Sequence, residues 1–190
     1  MTHTSTARAL ALVGMPGSGK SSCAHYLEQR GFWQFRFGGI VEGEVRQRGM
    51  AVNPENEKIV REALRETHGM AAMAKLALES LHTALATRQC IVIDGLYSWS
   101  EYKYLRHALK ADLTVVAVVC RRDLRYQRLA ERPIRPLTAA EAESRDWAEI
   151  ENLEKGGPIA IADYTLTNDG SAEETLRQLD ALLDHLGFAP

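Results

Sequence analysis

The stretch Gly14-Met15-Pro16-Gly17-Ser18-Gly19-Lys20-Ser21, directly behind the apolar run Ala9-Leu10-Ala11-Leu12-Val13, constrains this chain's fold more than any other feature. It has the form G-x-x-x-x-G-K-S, in which a buried strand ends, turns through glycines and releases a helix near Lys20. Small residues there let successive backbone N–H groups turn inward around a phosphate, and the helix N-terminus adds favourable partial charge. Lys20 is placed to bridge β- and γ-phosphates, and the Ser21 hydroxyl to bind the Mg²⁺ that accompanies a nucleotide. Gly14, Pro16, Gly17, Ser18, Gly19 and Ser22 complete the expected cradle for a nucleotide's phosphates. A plain glycine turn is the alternative, but two glycines, a lysine and a serine at these offsets arise by chance in fewer than about 1 chain in 100 of this length.

The rest of the composition makes any phosphate chemistry local. Among 190 residues, 23 Lys and Arg stand against 25 Asp and Glu, a formal net charge of −2. No global basic field of the kind nucleic-acid binders use is present, so no nucleic-acid partner is expected. The length suits one domain over 1–190. No apolar run approaches the roughly 18 residues of a membrane span, so a soluble, cytoplasmic protein without a membrane partner is expected. Cys23, Cys90 and Cys120 are odd in number and lack C-x-x-C spacing, and the six histidines lie singly. Buried reduced thiols, without a disulfide framework or zinc site, follow. The sequence does not set an oligomeric state.

Behind the polar tail 1–6, the pattern alternates strands and helices. Strands are expected at Ala9–Val13, Phe32–Phe37, Cys90–Ile93, Leu113–Cys120 and Tyr164–Thr167. Between them, Asn53-Pro54 opens a helix with Asn as N-cap and Pro at the first helical position. Residues 70–87 form a helix with Met73, Leu76, Ala77 and Leu81 toward the core. Ser98-x-x-Glu101, Thr138-x-x-Glu141 and Ser171-x-x-Glu174 are capping boxes. The Thr138 helix is expected to run to about Glu154, where Gly156-Gly157-Pro158 breaks it. The result is an α/β fold: a three-layer P-loop NTPase arrangement with a mostly parallel five-stranded sheet flanked by helices.

Asp94, ending the apolar strand before Gly95, lies at the edge where open α/β sheets bind ligands, and is expected to face Lys20 and Ser21. There an Asp holds Mg²⁺ through water; alone, Asp-Gly would be a turn satisfied by its own backbone. Seven arginines fall between 121 and 145. Arg128 and Arg132 share a helical face beside Pro133-Ile134-Arg135-Pro136, while Arg121, Arg122 and Arg125 fit a solvated helix better. Arg36 ends the second strand, and Arg61 and Arg65 lie four apart on the Pro54 helix; each could hold an acidic substrate. Arg61 also follows Glu57 by four residues, so a surface ion pair explains it equally well.

Gly14–Ser21 and the layout around it resemble nucleoside-monophosphate kinases and their relatives, the adenylate kinase-like and dephospho-CoA kinase-like proteins. That resemblance implies ATP on the first loop, an acceptor cleft over helical region 38–88, and a small Arg-rich lid at about 132–145. It places Arg128 near the ATP base, Arg132 and Arg145 near the transferred phosphate, and Asn168-Asp169-Gly170 around the adenine. Where the family's Asp-Gly motif commonly continues into an acceptor-gripping arginine, Leu96 and Tyr97 follow here. The Gly-Asp pair and Arg that usually open its second helix are absent from Gly38–Glu42. Dephospho-CoA kinases carry an Asp at the end of the second strand; Arg36-Phe37-Gly38 stands there instead.

The reading is therefore an ATP- and Mg²⁺-dependent phosphotransferase acting on a small phosphorylated acceptor, a nucleoside monophosphate or related nucleotide. Lys20, Asp94, Arg132 and Arg145 carry the chemistry, and Arg36, Arg61 and Tyr97 are the acceptor candidates. A P-loop ATPase or GTPase switch is the alternative, against which stand the Gly after Asp94 and the lack of an N-K-x-D guanine motif. A nucleotide-binding module with a degenerate acceptor site is a third.

Overall fold

Hydrophobic runs without alternation, such as Ala9–Val13, make strands that must be covered on both faces, and parallel pairing with helical crossovers supplies that cover. The computed structural model describes residues 7–190; the tail 1–6 lies outside them. In chain order they form β1 (Arg8–Val13), α1 (Lys20–Gln29), β2 (Gln34–Arg36), α2 (Phe37–Gln47), α3 (Pro54–His68), α4 (Ala72–Leu85) and β3 (Cys90–Asp94). There follow α5 (Trp99–Ala108), β4 (Asp112–Val119), α6 (Arg122–Glu131), α7 (Ala139–Glu151), α8 (Gly156–Ala160), β5 (Tyr164–Thr167) and α9 (Ala172–Leu186).

The sheet runs β2-β3-β1-β4-β5, and every pairing is parallel. Period-two alternation splits β1 between two cores. Ala9, Ala11 and Val13 pack with Phe37, Met73, Leu81 and Leu105 of α2, α4 and α5. Leu10 and Leu12 pack with Leu27 of α1 and Leu179 and Leu183 of α9. From β1 the chain builds outward through β3 and β2 on one side and β4 and β5 on the other, so a crevice opens at the carboxyl end of β1, where Gly14 begins its loop.

Local chemistry sets the helix starts. The Asn53 side chain accepts from the Asn56 amide at 2.9 Å, with Pro54 at the first helical position. Ser98, Thr138 and Ser171 each form the reciprocal capping box with Glu101, Glu141 and Glu174. Four expectations are corrected. Strand two is only Gln34–Arg36, because Phe37 turns inward as the first residue of α2. Leu76 is 40% exposed, one face away from the Met73, Ala77, Leu81 stripe. The Thr138 helix stops at Glu151. Gly156-Gly157-Pro158 starts the short α8, with Gly157 against the Trp99 ring, where a Cβ would lie 3.0 Å from Trp99 Cε3.

Cys23 and Cys90 are buried and Cys120 half-buried, all as free thiols. Burial pushes the first two thiols up to about 11 and about 12, which makes them poor nucleophiles. No helix among the described residues is long and apolar enough to cross a membrane.

Candidate active site

Between β1 and α1 the loop is held from behind by side chains on two other elements. Arg125 of α6 donates to the Pro16 carbonyl at 2.9 Å, and Asn168, just after β5, donates its amide N–H to the Ser18 carbonyl at 2.8 Å. Arg125 is itself clamped by a two-pronged ion pair to Asp146 of α7, at 3.0 and 2.5 Å. Asn168 Oδ1 accepts from the Thr175 hydroxyl at 2.8 Å and from Arg128 Nη2 at 3.5 Å. The glycines are needed for this bracing. Gly17 (φ +78) brings its backbone onto α6, where a Cβ would sit 2.7 Å from the Arg125 carbonyl. At Gly19 (φ +97) a Cβ would overlap the Asn168 amide nitrogen.

With two carbonyls tied back, the loop's donors are left over. The Ser18 Oγ is buried and without a partner, and the amides of Gly19, Lys20 and Ser21 have none among the described residues. These are the donors of a helix start, and an anion would satisfy them. Beside them Lys20 Nζ pairs with Asp94 Oδ1, both side chains nearly buried. Asp94 arrives because β3 ends in register with Leu12 of β1 and Arg36 of β2. Past it, Gly95 (φ +95) lets the Tyr97 ring fold back, so close that a Cβ would lie 2.6 Å from the phenol oxygen. Burial raises the Tyr97 phenol's pKa, although the Lys20 charge works against it.

The arginines separate into groups. Arg125 is buried, which corrects the solvated-helix expectation for it; Arg121 and Arg122 are exposed as expected. Arg128 joins Gly19, Ser22, Cys23, Asn168 and Thr175 around a cleft of about 150 Å³ beside the loop. Arg132 ends α6 and donates to the Arg135 carbonyl at 2.5 Å. Partial burial, then the charges of Arg145 and Arg135, hold its guanidinium below the usual arginine value. Arg132 and Arg145 thus come near each other across 132–145. Arg145 Nε donates to Glu149 at 3.0 Å. Among the residues expected to meet an acceptor, Arg36 pairs with Glu42 at 2.7 Å and is half-exposed. The Glu57–Arg61 pair does not form: Glu57 instead takes Arg135 at 3.3 Å. Arg61 has no ion-pair partner among the described residues.

Sequence reasoning missed four polar features. Arg125 and Asp146 are 21 residues apart with no local pattern joining them. Lys155 and Glu149 pair inside the protein, hidden by the expectation of a helix break at 156–158. Glu101 was legible as a cap but not as a fully buried carboxyl, pushed up to about 7 by that burial. Its Oε2 accepts from the Tyr97 amide at 2.8 Å, while Oε1 has no partner. Burial lowers the Arg65 guanidinium's pKa against the Glu101 charge, and Arg65 Nε is likewise unpartnered. Among the described residues, no three His, Cys, Asp or Glu side chains gather as a metal cage. A hydroxyl and a carboxylate, Ser21 and Asp94, beside unpartnered phosphate-type donors are hard oxygen ligands that suit Mg²⁺ shared with a nucleotide.

Comparison with known proteins places the family and the fold. Residues 10–156 match the AAA domain family AAA_18. A UPF0200 protein of Thermococcus kodakarensis is 39% identical over 178 residues, covering 92% of this chain and 96% of its own. One from Thermococcus gammatolerans is 38% identical over 178 residues, covering 92% and 93%. Among solved structures, TT1252 from Thermus thermophilus superposes with a TM-score of 0.63 at 21% identity, over 95% of this chain and 98% of that one. Shikimate kinase from Bacteroides thetaiotaomicron superposes with a TM-score of 0.59 at 14% identity, over 96% and 99%. At such identities the likeness is one of fold, and the fold is that of P-loop kinases.

Proposed function

The chain belongs to the UPF0200 proteins and carries the AAA domain, and on that premise we propose that it is an ATP- and Mg²⁺-dependent phosphotransferase. It moves the γ-phosphoryl group to a small phosphorylated acceptor, a nucleoside monophosphate or related nucleotide. The observation that carries this reading is the braced loop: unpartnered donors at Ser18, Gly19, Lys20 and Ser21 beside a buried Lys20–Asp94 pair.

In this reading the Gly14–Ser22 segment receives the phosphates, and Lys20 exchanges Asp94 for β- and γ-phosphate oxygens. The exchange releases the Asp94 carboxylate at the strand edge, where it orients the acceptor's attacking oxygen. Ser21, and Asp94 through water, would hold Mg²⁺, which would supply neutralisation of developing phosphate charge. The Arg128 cleft takes the base, and Asn168 acts there by holding the loop, since both ends of its amide are engaged. Segment 132–145 serves as lid, with Arg132 and Arg145 reaching the transferred group. Region 38–88 forms the acceptor wall and carries Arg61, and Arg36 and Tyr97 flank it beside Asp94. Positioning and charge stabilisation do most of the work.

The test is incubation with labelled ATP and Mg²⁺ against a panel of nucleoside monophosphates, nucleosides and dephospho-CoA. Acceptor-dependent transfer is expected, lost about 10²-fold or more in Lys20→Ala. Turnover with water alone would assign an ATPase or GTPase switch instead, and binding without turnover a nucleotide-binding module.

A further inference from the structure

Behind the lid arginines lies a charged group that the proposed transfer does not yet use. Glu149 of α7 takes two cations at once: Arg145, four residues earlier, at 3.0 Å, and Lys155, which precedes α8. The cations differ in place. The Lys155 side chain is 5% exposed, whereas that of Arg145 is 45% exposed. Lys155 Nζ also stands 5.2 Å from the centroid of the Tyr97 ring, which folds back over Gly95 next to Asp94. Burial first, and then the neighbouring charges of Lys20 and Arg145, hold the Lys155 ammonium below its ordinary value against the pull of Glu149. Burial likewise opposes ionisation of Glu149, but Lys155 and Arg145 outweigh it and keep the carboxyl below its usual range.

A buried carboxylate with one cation would hold it fast, because losing it leaves an uncompensated charge in the interior. With two, the outer one can depart. We propose that Lys155 is a positioning residue: by neutralising Glu149 from inside, it frees Arg145 to leave Glu149 for the γ-phosphate of a bound nucleotide. This rests on the phosphotransferase reading above, and it joins the end of α7 to the Tyr97 wall beside Asp94. Removing Lys155 while keeping Glu149 locks Arg145 onto Glu149. Removing both charges releases it again.

The experiment compares calorimetric affinities for Mg²⁺-loaded AMP-PNP, a non-hydrolysable ATP analogue, and for MgADP, so it needs no acceptor. Wild-type protein should prefer the triphosphate analogue by about tenfold or more through a charge-assisted Arg145 contact. Lys155→Met should lose that preference with ADP affinity unchanged, and Lys155→Arg should restore it. The double variant Lys155→Met/Glu149→Gln should also regain it, and it carries the test if Lys155→Met alone fails to fold. Adding Lys155→Met to Arg145→Ala should change nothing further. A Lys155→Met protein that keeps the preference, a double variant that does not regain it, or losses that multiply with Arg145→Ala would overturn the proposal. So would a wild-type protein that binds both nucleotides equally. No heat with either nucleotide would instead remove the phosphotransferase reading itself.

Discussion

The proposed nucleotide edge and the proposed acceptor edge of this crevice are built from different materials. On the first, backbone groups do the presenting, and buried side chains hold them: Arg125 on Pro16, Asn168 on Ser18, with Asp146 and Thr175 behind. On the second, side chains present themselves. Arg36 is half-exposed with Glu42, Arg61 has no ion-pair partner among the described residues, and the exposed Arg135 crosses from 132–138 to Glu57. A phosphate tail is the same in every nucleotide, so a rigid cradle suits it. An acceptor edge made of long side chains on helices can change specificity without disturbing the fold.

The contrast can be broken by mutation. The largest stability effect is expected on the nucleotide edge: Arg125→Met leaves Asp146 buried and unpaired, and should cost about 3–5 kcal/mol in denaturant unfolding. The matching change on the other edge, Arg36→Met, breaks a half-exposed pair and should cost no more than about 1 kcal/mol. Equal losses would erase the distinction. Next comes the loop itself. Gly19→Ala forces a left-handed backbone on alanine and displaces Asn168, which should cost about 1–3 kcal/mol and weaken MgATP binding.

The pH dependence sharpens the comparison at Glu101, whose buried carboxyl is raised from 4.5 to about 7. The folded protein therefore binds a proton that the unfolded chain has released across that window. Glu101 should stabilise below about pH 4.5 and lose that contribution as pH rises through 7. Glu101→Gln should flatten this part of the stability profile between pH 4.5 and 7, and an unchanged slope would refute the assignment. The smallest effect is a gain: Gly43 of α2 is exposed with open space around it, so Gly43→Ala should stabilise by about 0.5–1 kcal/mol.

What the sequence alone made legible is mostly local. Strand, loop and helix at Ala9–Lys20, the capping boxes at Ser98, Thr138 and Ser171, and the end of β3 at Asp94 are local patterns, and each lies where its pattern points. The mostly parallel sheet expected from strands apolar on both faces is parallel throughout. Apart from Asp94 facing Lys20, contacts between distant elements were not legible. Arg125 looked like any helix-surface arginine until α7 brought Asp146 to it, and Lys155 lay behind glycines and a proline that suggested only a break. Leu76 failed for the converse reason: it fits a helical stripe loosely, and the actual contact face passes through Met73, Ala77 and Leu81. Side-chain pairing across helices has no periodicity in sequence, and the acceptor edge consists largely of it.

Calorimetric titration of the intact chain with MgATP asks most directly whether the amides around Ser18 to Ser21 grip a polyphosphate. Saturable one-site binding that Lys20→Ala weakens markedly is the expected result. Absence of heat with magnesium-loaded ATP and GTP alike, from folded protein, would contradict it.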